Sequence, residues 1–163
     1  MNKKFFIPIL ISLFSLNIHA ETIKYPTNDK ITKVFSKSLS EDQKSVINDI
    51  LIFVDTKEFF SDYKKHLIKH LSTLNYKAML NVNNEEELIK IAKYIFPLSM
   101  CGAYQFREDF TRAIGEVNFI YIKDQQEQKD LMTAFTKMNT LYLEKAQKEF
   151  NPDAIFFKEN CSN

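Results

Sequence analysis

Two cysteines and two closely spaced histidines are the residues of this chain best equipped for chemistry. Cys101, in the stretch FPLSMCGAYQF, and Cys161, near the end, are the only cysteines. A thiol can attack a substrate, bind a metal or pair with a second thiol, and its neighbours decide which. Nucleophilic work needs a base at hand, and the candidates are His66 and His70. With two cysteines only one pairing exists, Cys101–Cys161. It closes a loop of 61 residues, which in the chain-entropy picture stabilises by roughly 4 kcal/mol. In an exported chain an even cysteine count reads as that disulfide. Two buried free thiols are the alternative.

The stretch HLIKH places His66 and His70 four residues apart, one above the other on a helix, and Asp62 and Glu58 continue the ladder backwards. Such a set can hold a zinc-like ion. However, no third histidine or cysteine follows at metal-motif spacing, and Lys64, Lys65 and Lys69 repel a cation. The ladder reads as the flank of an apolar face, with His70 half buried beside Phe59 and Tyr63. His66 and His70 remain weak metal candidates, and no cofactor is expected.

Among 22 basic residues only Arg107 and Arg112 are arginine, both in FREDFTRAIGE. The guanidinium fork grips carboxylates bidentately and stacks on aromatic rings, which lysine does not do. Glu108, Arg112 and Glu116 fall at spacings of four, as a salt-bridged ladder on an outward helix face. Tyr104 lies one turn before Arg107. Arginine and tyrosine are enriched where interface energy concentrates, so Tyr104, Arg107, Glu108, Arg112 and Glu116 form a candidate partner-binding patch. The acidic run Glu85, Glu86 and Glu87 is a second such candidate.

Catalytic and nucleotide motifs are missing. With two glycines the chain has no Gly-rich phosphate cradle and no dinucleotide fingerprint. It contains neither a G-x-S-x-G elbow nor an H-E-x-x-H pair, so the chain is read as a non-enzyme.

The elements that position these residues begin after a leader. In MNKKFFIPILISLFSLNIHA, Lys3 and Lys4 precede an apolar run from Phe5 to Leu16, and Ala20 suits the position before a cleavage site. The run is shorter than the roughly 20 residues of a membrane span. Residues 1–20 are therefore expected to be a cleaved signal peptide that leaves no stable membrane anchor. The Lys-, Asn-, Ile- and Phe-rich composition is that of an AT-rich bacterial genome, which makes the mature protein periplasmic or secreted. Without Lys3 and Lys4, 20 basic residues face 21 acidic ones, a balance that gives no reason to bind nucleic acid or an anionic membrane.

Scarce Gly and Pro argue against an all-β fold. The sequence predicts an all-α class, a single compact domain of five to six helices. Residues 21–38 are an irregular segment or a short helix, capped at Asn28 or Asp29 and running through Ile31, Val34 and Phe35. Residues 39–163 are the helical domain. Ser40 with Gln43 opens a helix to about Val54 as a capping box. Thr56 caps a second helix, to about Leu74, with Phe60, Tyr63, Leu67, Leu71 and Leu74 on one face. Asn84 with Glu87 opens a third, carrying carboxylates at its positive end. Pro97 should kink or break it, yet the same apolar phase resumes at Leu98, Gly102, Phe106, Phe110, Ala113 and Val117. The prediction is a bent rod or two helices meeting at a corner. Asp124 with Glu127 caps a last long helix through Leu131, Ala134, Phe135, Met138 and Leu141, and NPDAIFF starts a short terminal one whose tail the disulfide staples to the rod.

The function these readings support is docking onto another protein, as an inhibitor or immunity-type module that neutralises a toxin or hydrolase. The alternative is a carrier holding a small apolar ligand among the 12 Phe and 7 Tyr of the mature chain. Neither the partner nor the oligomeric state can be read from the sequence.

Overall fold

The structure, a computed structural model, describes residues 27–35 and 39–146. The expected leader, the terminal NPDAIFF helix and Cys161 lie outside the described residues. Six helices run in order: α1 Asn28–Phe35, α2 Glu41–Asp55, α3 Asp62–Leu80, α4 Glu85–Phe106, α5 Glu108–Asn118 and α6 Gln125–Leu141, the last continuing into a π-helical turn at Tyr142–Ala146. No strand occurs among the described residues, as the scarcity of turn residues predicts. No helix there is long and apolar enough to cross a membrane.

Local signals set most helix starts. Ser40 accepts from the Gln43 amide, and the Gln43 side chain accepts from the Ser40 amide, the full capping box. Asn84 Oδ1 accepts from the Glu87 amide at 3.1 Å, and Asp124 Oδ1 from that of Glu127 at 2.9 Å. The predicted cap at Thr56 is wrong. Thr56 closes α2, its hydroxyl donating to the Phe53 carbonyl at 2.7 Å. Ser61 opens α3 instead, accepting from the Lys64 amide at 3.2 Å. Residues 57–60 between them form a tight turn, bonded Lys57 N to Val54 O, Glu58 N to Thr56 O and Phe60 N to Lys57 O. Asn28 is not a cap either. It sits inside α1 and bonds sideways, donating to Asp55 Oδ2 at 2.7 Å and accepting from Lys69 Nζ at 2.8 Å.

α3 is the centre and packs against all five other helices. It runs to Leu80, six residues past the expected end, and residues 71–76 are buried without interruption. Six consecutive helical residues point in every direction around the axis, so α3 is enclosed on all sides. Leu67, Ile68, Leu71 and Leu74 meet Ile47, Leu51, Leu88, Ile95, Leu131 and Met138 in one core. Ser72, Thr73 and Asn75 are enclosed with them.

The third predicted helix passes through Pro97 without a break. The chain turns ten residues later, at Arg107, which adopts φ 51° and ψ −133° and is the only described non-glycine residue at positive φ. α5 then folds back against α4. The approach depends on Gly102, since a Cβ built there would fall inside the Phe110 ring. Phe106 fills the inside of the corner, its ring centroid 5.9 Å from Tyr63 and 6.2 Å from Phe110.

Two substitutions at this corner should shift stability in opposite directions. Gly102→Ala forces the Phe110 ring out of its seat and should cost about 2 kcal/mol. Arg107→Gly removes a backbone conformation that disfavours side chains, and should stabilise by about 1 kcal/mol. At roughly 3 °C per kcal/mol for a domain of this size, thermal melts resolve both. A Gly102→Ala protein that melts with the wild type would contradict the close approach.

Candidate functional site

The turn at 57–60 and the outer face of α5 come together as a groove of about 480 Å³. Ser61 and the turn's own backbone bonds hold the turn rigid. At its tip Phe59 is 100% exposed. This overturns the expected helical placement of Phe59 beside His70: with α3 starting at Asp62, Phe59 lies before the helix. Phe60, part buried, and Ala113 line the groove.

Charged groups form its walls. Arg112 is ion-paired with Asp109, one helical turn back. Lys57 reaches from the turn to Glu116 on α5, Nζ to Oε2 at 2.8 Å. The expected ladder of Glu108, Arg112 and Glu116 therefore does not form. Arg112 takes the carboxylate at i−3 and not the one at i−4, while Glu116 is drawn to a lysine 59 residues away in sequence. Lys64 lies over two aromatic rings, 4.2 Å from the Phe60 centroid and 5.5 Å from that of Phe106.

The remaining predicted patch residues scatter. Tyr104 is 85% exposed near the end of α4, and Arg107 is the corner itself. Glu85, Glu86 and Glu87 start α4. At about 1.5 Å per residue, they stand about 25 Å or more from Tyr104 and Arg107, so the two candidate patches are separate surfaces. The acidic end is also largely neutralised: Lys90 Nζ lies 2.9 Å from Glu86 and 3.7 Å from Glu87, and Lys77 lies 3.5 Å from Glu87. Sequence reasoning missed Phe59, Lys57 and Lys64. The only available signal was the competition between Thr56 and Ser61 as helix caps.

His66 and His70 share one side of α3, as their spacing requires. Their ring centroids are 4.3 Å apart, and His70 Nδ1 donates to the His66 carbonyl at 2.9 Å. The ladder cannot extend to Glu58, which precedes the helix. Among the described residues no three His, Cys, Asp or Glu side chains gather to hold an ion. Burial foremost, then the charges of His70 and Lys69, push the His66 imidazole down to about 4. His70 is also lowered by burial, with its bond to the His66 carbonyl opposing. Beside them, burial raises Asp55, but bonds from Lys69 and Asn28 outweigh it and leave the carboxyl below its ordinary value.

Cys101 is 1% exposed on the inner side of α4. Comparison with protein-family models, with curated proteins and with solved structures finds no match.

The histidines give a pH dependence of definite sign. Both imidazoles are harder to protonate in the fold than in the unfolded chain. Their stabilising contribution is complete above pH ~6.5 and is lost as pH falls through the window from there to about 4. His66→Gln removes one of the two titrating rings. Its melting temperature should fall less between about pH 7 and pH 5 than that of the wild type. Parallel curves would show that His66 titrates normally.

Proposed function

We propose that this protein is an exported, non-enzymatic binding module of the inhibitor or immunity type. It neutralises a toxin or hydrolase by docking the face around the 57–60 turn and α5. One observation carries the reading: a fully exposed phenylalanine on an ordered turn, beside Arg112. Aromatic residues and arginine are the types that dominate interface energetics. An exposed phenylalanine gains roughly 1.5–3 kcal/mol when a partner buries it.

Export rests on the leader-like residues 1–20, with a periplasmic or secreted destination. The disulfide Cys101–Cys161 belongs to the same proposal. It is supported by the burial of Cys101 and by the absence of a free cysteine among the described residues. An apolar-ligand carrier would need an enclosed space in the bundle. The grooves at the 57–60 turn and near Phe119 instead open at the surface, and apart from the buried Ala113 their lining residues are exposed or half-buried.

Arg112→Glu should abolish capture of a partner from a periplasmic extract. The thermal melt should scarcely move, because an exposed ion pair such as Arg112–Asp109 contributes under about 1 kcal/mol. Unchanged capture removes this face from consideration. For the disulfide, unlabelled protein should be lighter before reduction than after by the mass of two hydrogens. Two thiols that alkylate without reductant rule the bond out.

A further inference from the structure

Resting on the docking reading above, we infer that the groove between the 57–60 turn and α5 takes a short acidic segment of the partner that also presents a large apolar side chain. Three cationic groups line the groove, Lys57, Lys64 and Arg112, against two carboxylates, Asp109 and Glu116. Two of the cations are matched inside the site, Lys57 by Glu116 and Arg112 by Asp109. The third is not. The Lys64 ammonium rests on the faces of Phe60 and Phe106 and forms no ion pair among the described residues. A cation held on aromatic faces at a groove's edge keeps its charge available to an incoming carboxylate. Phe59, on the same turn, offers the apolar half of the contact, and its backbone is already fixed, so little ordering entropy is lost on binding.

Other occupants fit less well. A phosphate backbone or anionic membrane would meet Asp109 and Glu116 at the walls, and a surplus of one positive charge is little to hold it. A second copy of the chain has an acidic cluster to offer at the start of α4, but Glu86 and Glu87 are already paired with Lys90 and Lys77. The groove's volume lies within the ~300–1,000 Å³ of sites that enclose small ligands, which suits a short segment inserted edge-on.

The test uses random 12-residue peptides displayed on phage, selected on the mature protein. Enriched peptides are then synthesised and their Kd measured by fluorescence polarisation. The expected motif is a large apolar residue flanked by Asp or Glu. Phe59→Ala and Lys64→Glu should each weaken binding at least tenfold without changing the circular dichroism or the melt. A peptide with Lys in place of the flanking acid should regain binding to Lys64→Glu. Neutral or basic motifs, no enrichment, or an unchanged Kd in both variants would overturn the inference. Self-association that Phe59→Ala disperses would overturn it in favour of a second copy. Capture of a natural partner that is lost in Arg112→Glu and Phe59→Ala but retained in Lys64→Glu leaves the docking reading standing and removes this one.

Discussion

The enclosure of α3 is the constraint from which the rest of the fold follows. Leu71 to Tyr76 are buried in sequence, so no direction around that stretch of helix is left to solvent. One neighbouring helix cannot supply that, and all five pack against it. Enclosure also imposes polar groups on the core. Ser72, Thr73 and Asn75 have no exposed side to occupy. The Tyr121 hydroxyl donates to Asn118 Oδ1 at 2.6 Å, whereas Asn75 Oδ1 and the Ser72 and Thr73 hydroxyls are buried with no hydrogen-bond partner among the described residues. The Tyr121 ring meets Tyr76 at 5.3 Å. Through this ring contact the segment after α5 is tied to the centre.

The corner between α4 and α5 turns this enclosure into a surface. Gly102 lets Phe110 seat against α4, Arg107 takes the unfavourable backbone angle, and Phe106 plugs the inside. α5 is thus set beside the 57–60 turn, where Lys57 can reach Glu116. The groove exists only because of these two contacts, since neither α5 nor the turn makes it alone. The unfavourable backbone angle falls at Arg107, and the fully exposed Phe59 and the paired Arg112 lie where α5 meets the turn.

Much of the helical content was legible because its signals are local. Ser40 with Gln43, Asn84 with Glu87 and Asp124 with Glu127 each cap within three residues, and the apolar spacing of α2, α4 and α6 matches the buried faces. What was misread depends on competition or distance. Thr56 and Ser61 are both competent caps, and the back-bond from Thr56 to Phe53 decides between them. Pro97 is costly inside a helix, by about 3 kcal/mol, yet it sits on a buried face where packing on both sides holds the helix together. Arg112 has carboxylates at i−4, i−3 and i+4, and sequence cannot rank them once Lys57 claims Glu116. The groove was illegible for the same reason: it joins residues 57–64 to residues 109–116, at least 45 positions apart in sequence.

The network of Asn28, Asp55 and Lys69 has a consequence for the order in which the molecule can assemble. Among the described elements α1 packs on α2 and α3 alone. Its Asn28 closes a triangle with Asp55, 27 residues on, and Lys69, 41 residues on, while Lys69 and Asp55 meet at 2.6 Å. A polypeptide emerges from a ribosome or a translocation pore beginning at its N-terminus. Of the described helices α1 is therefore the first to emerge, and these contacts can form only after α2 and α3 have followed it. α1 is a clasp of the structure: its polar contacts are complete only when the ends of α2 and α3 that carry Asp55 and Lys69 lie side by side.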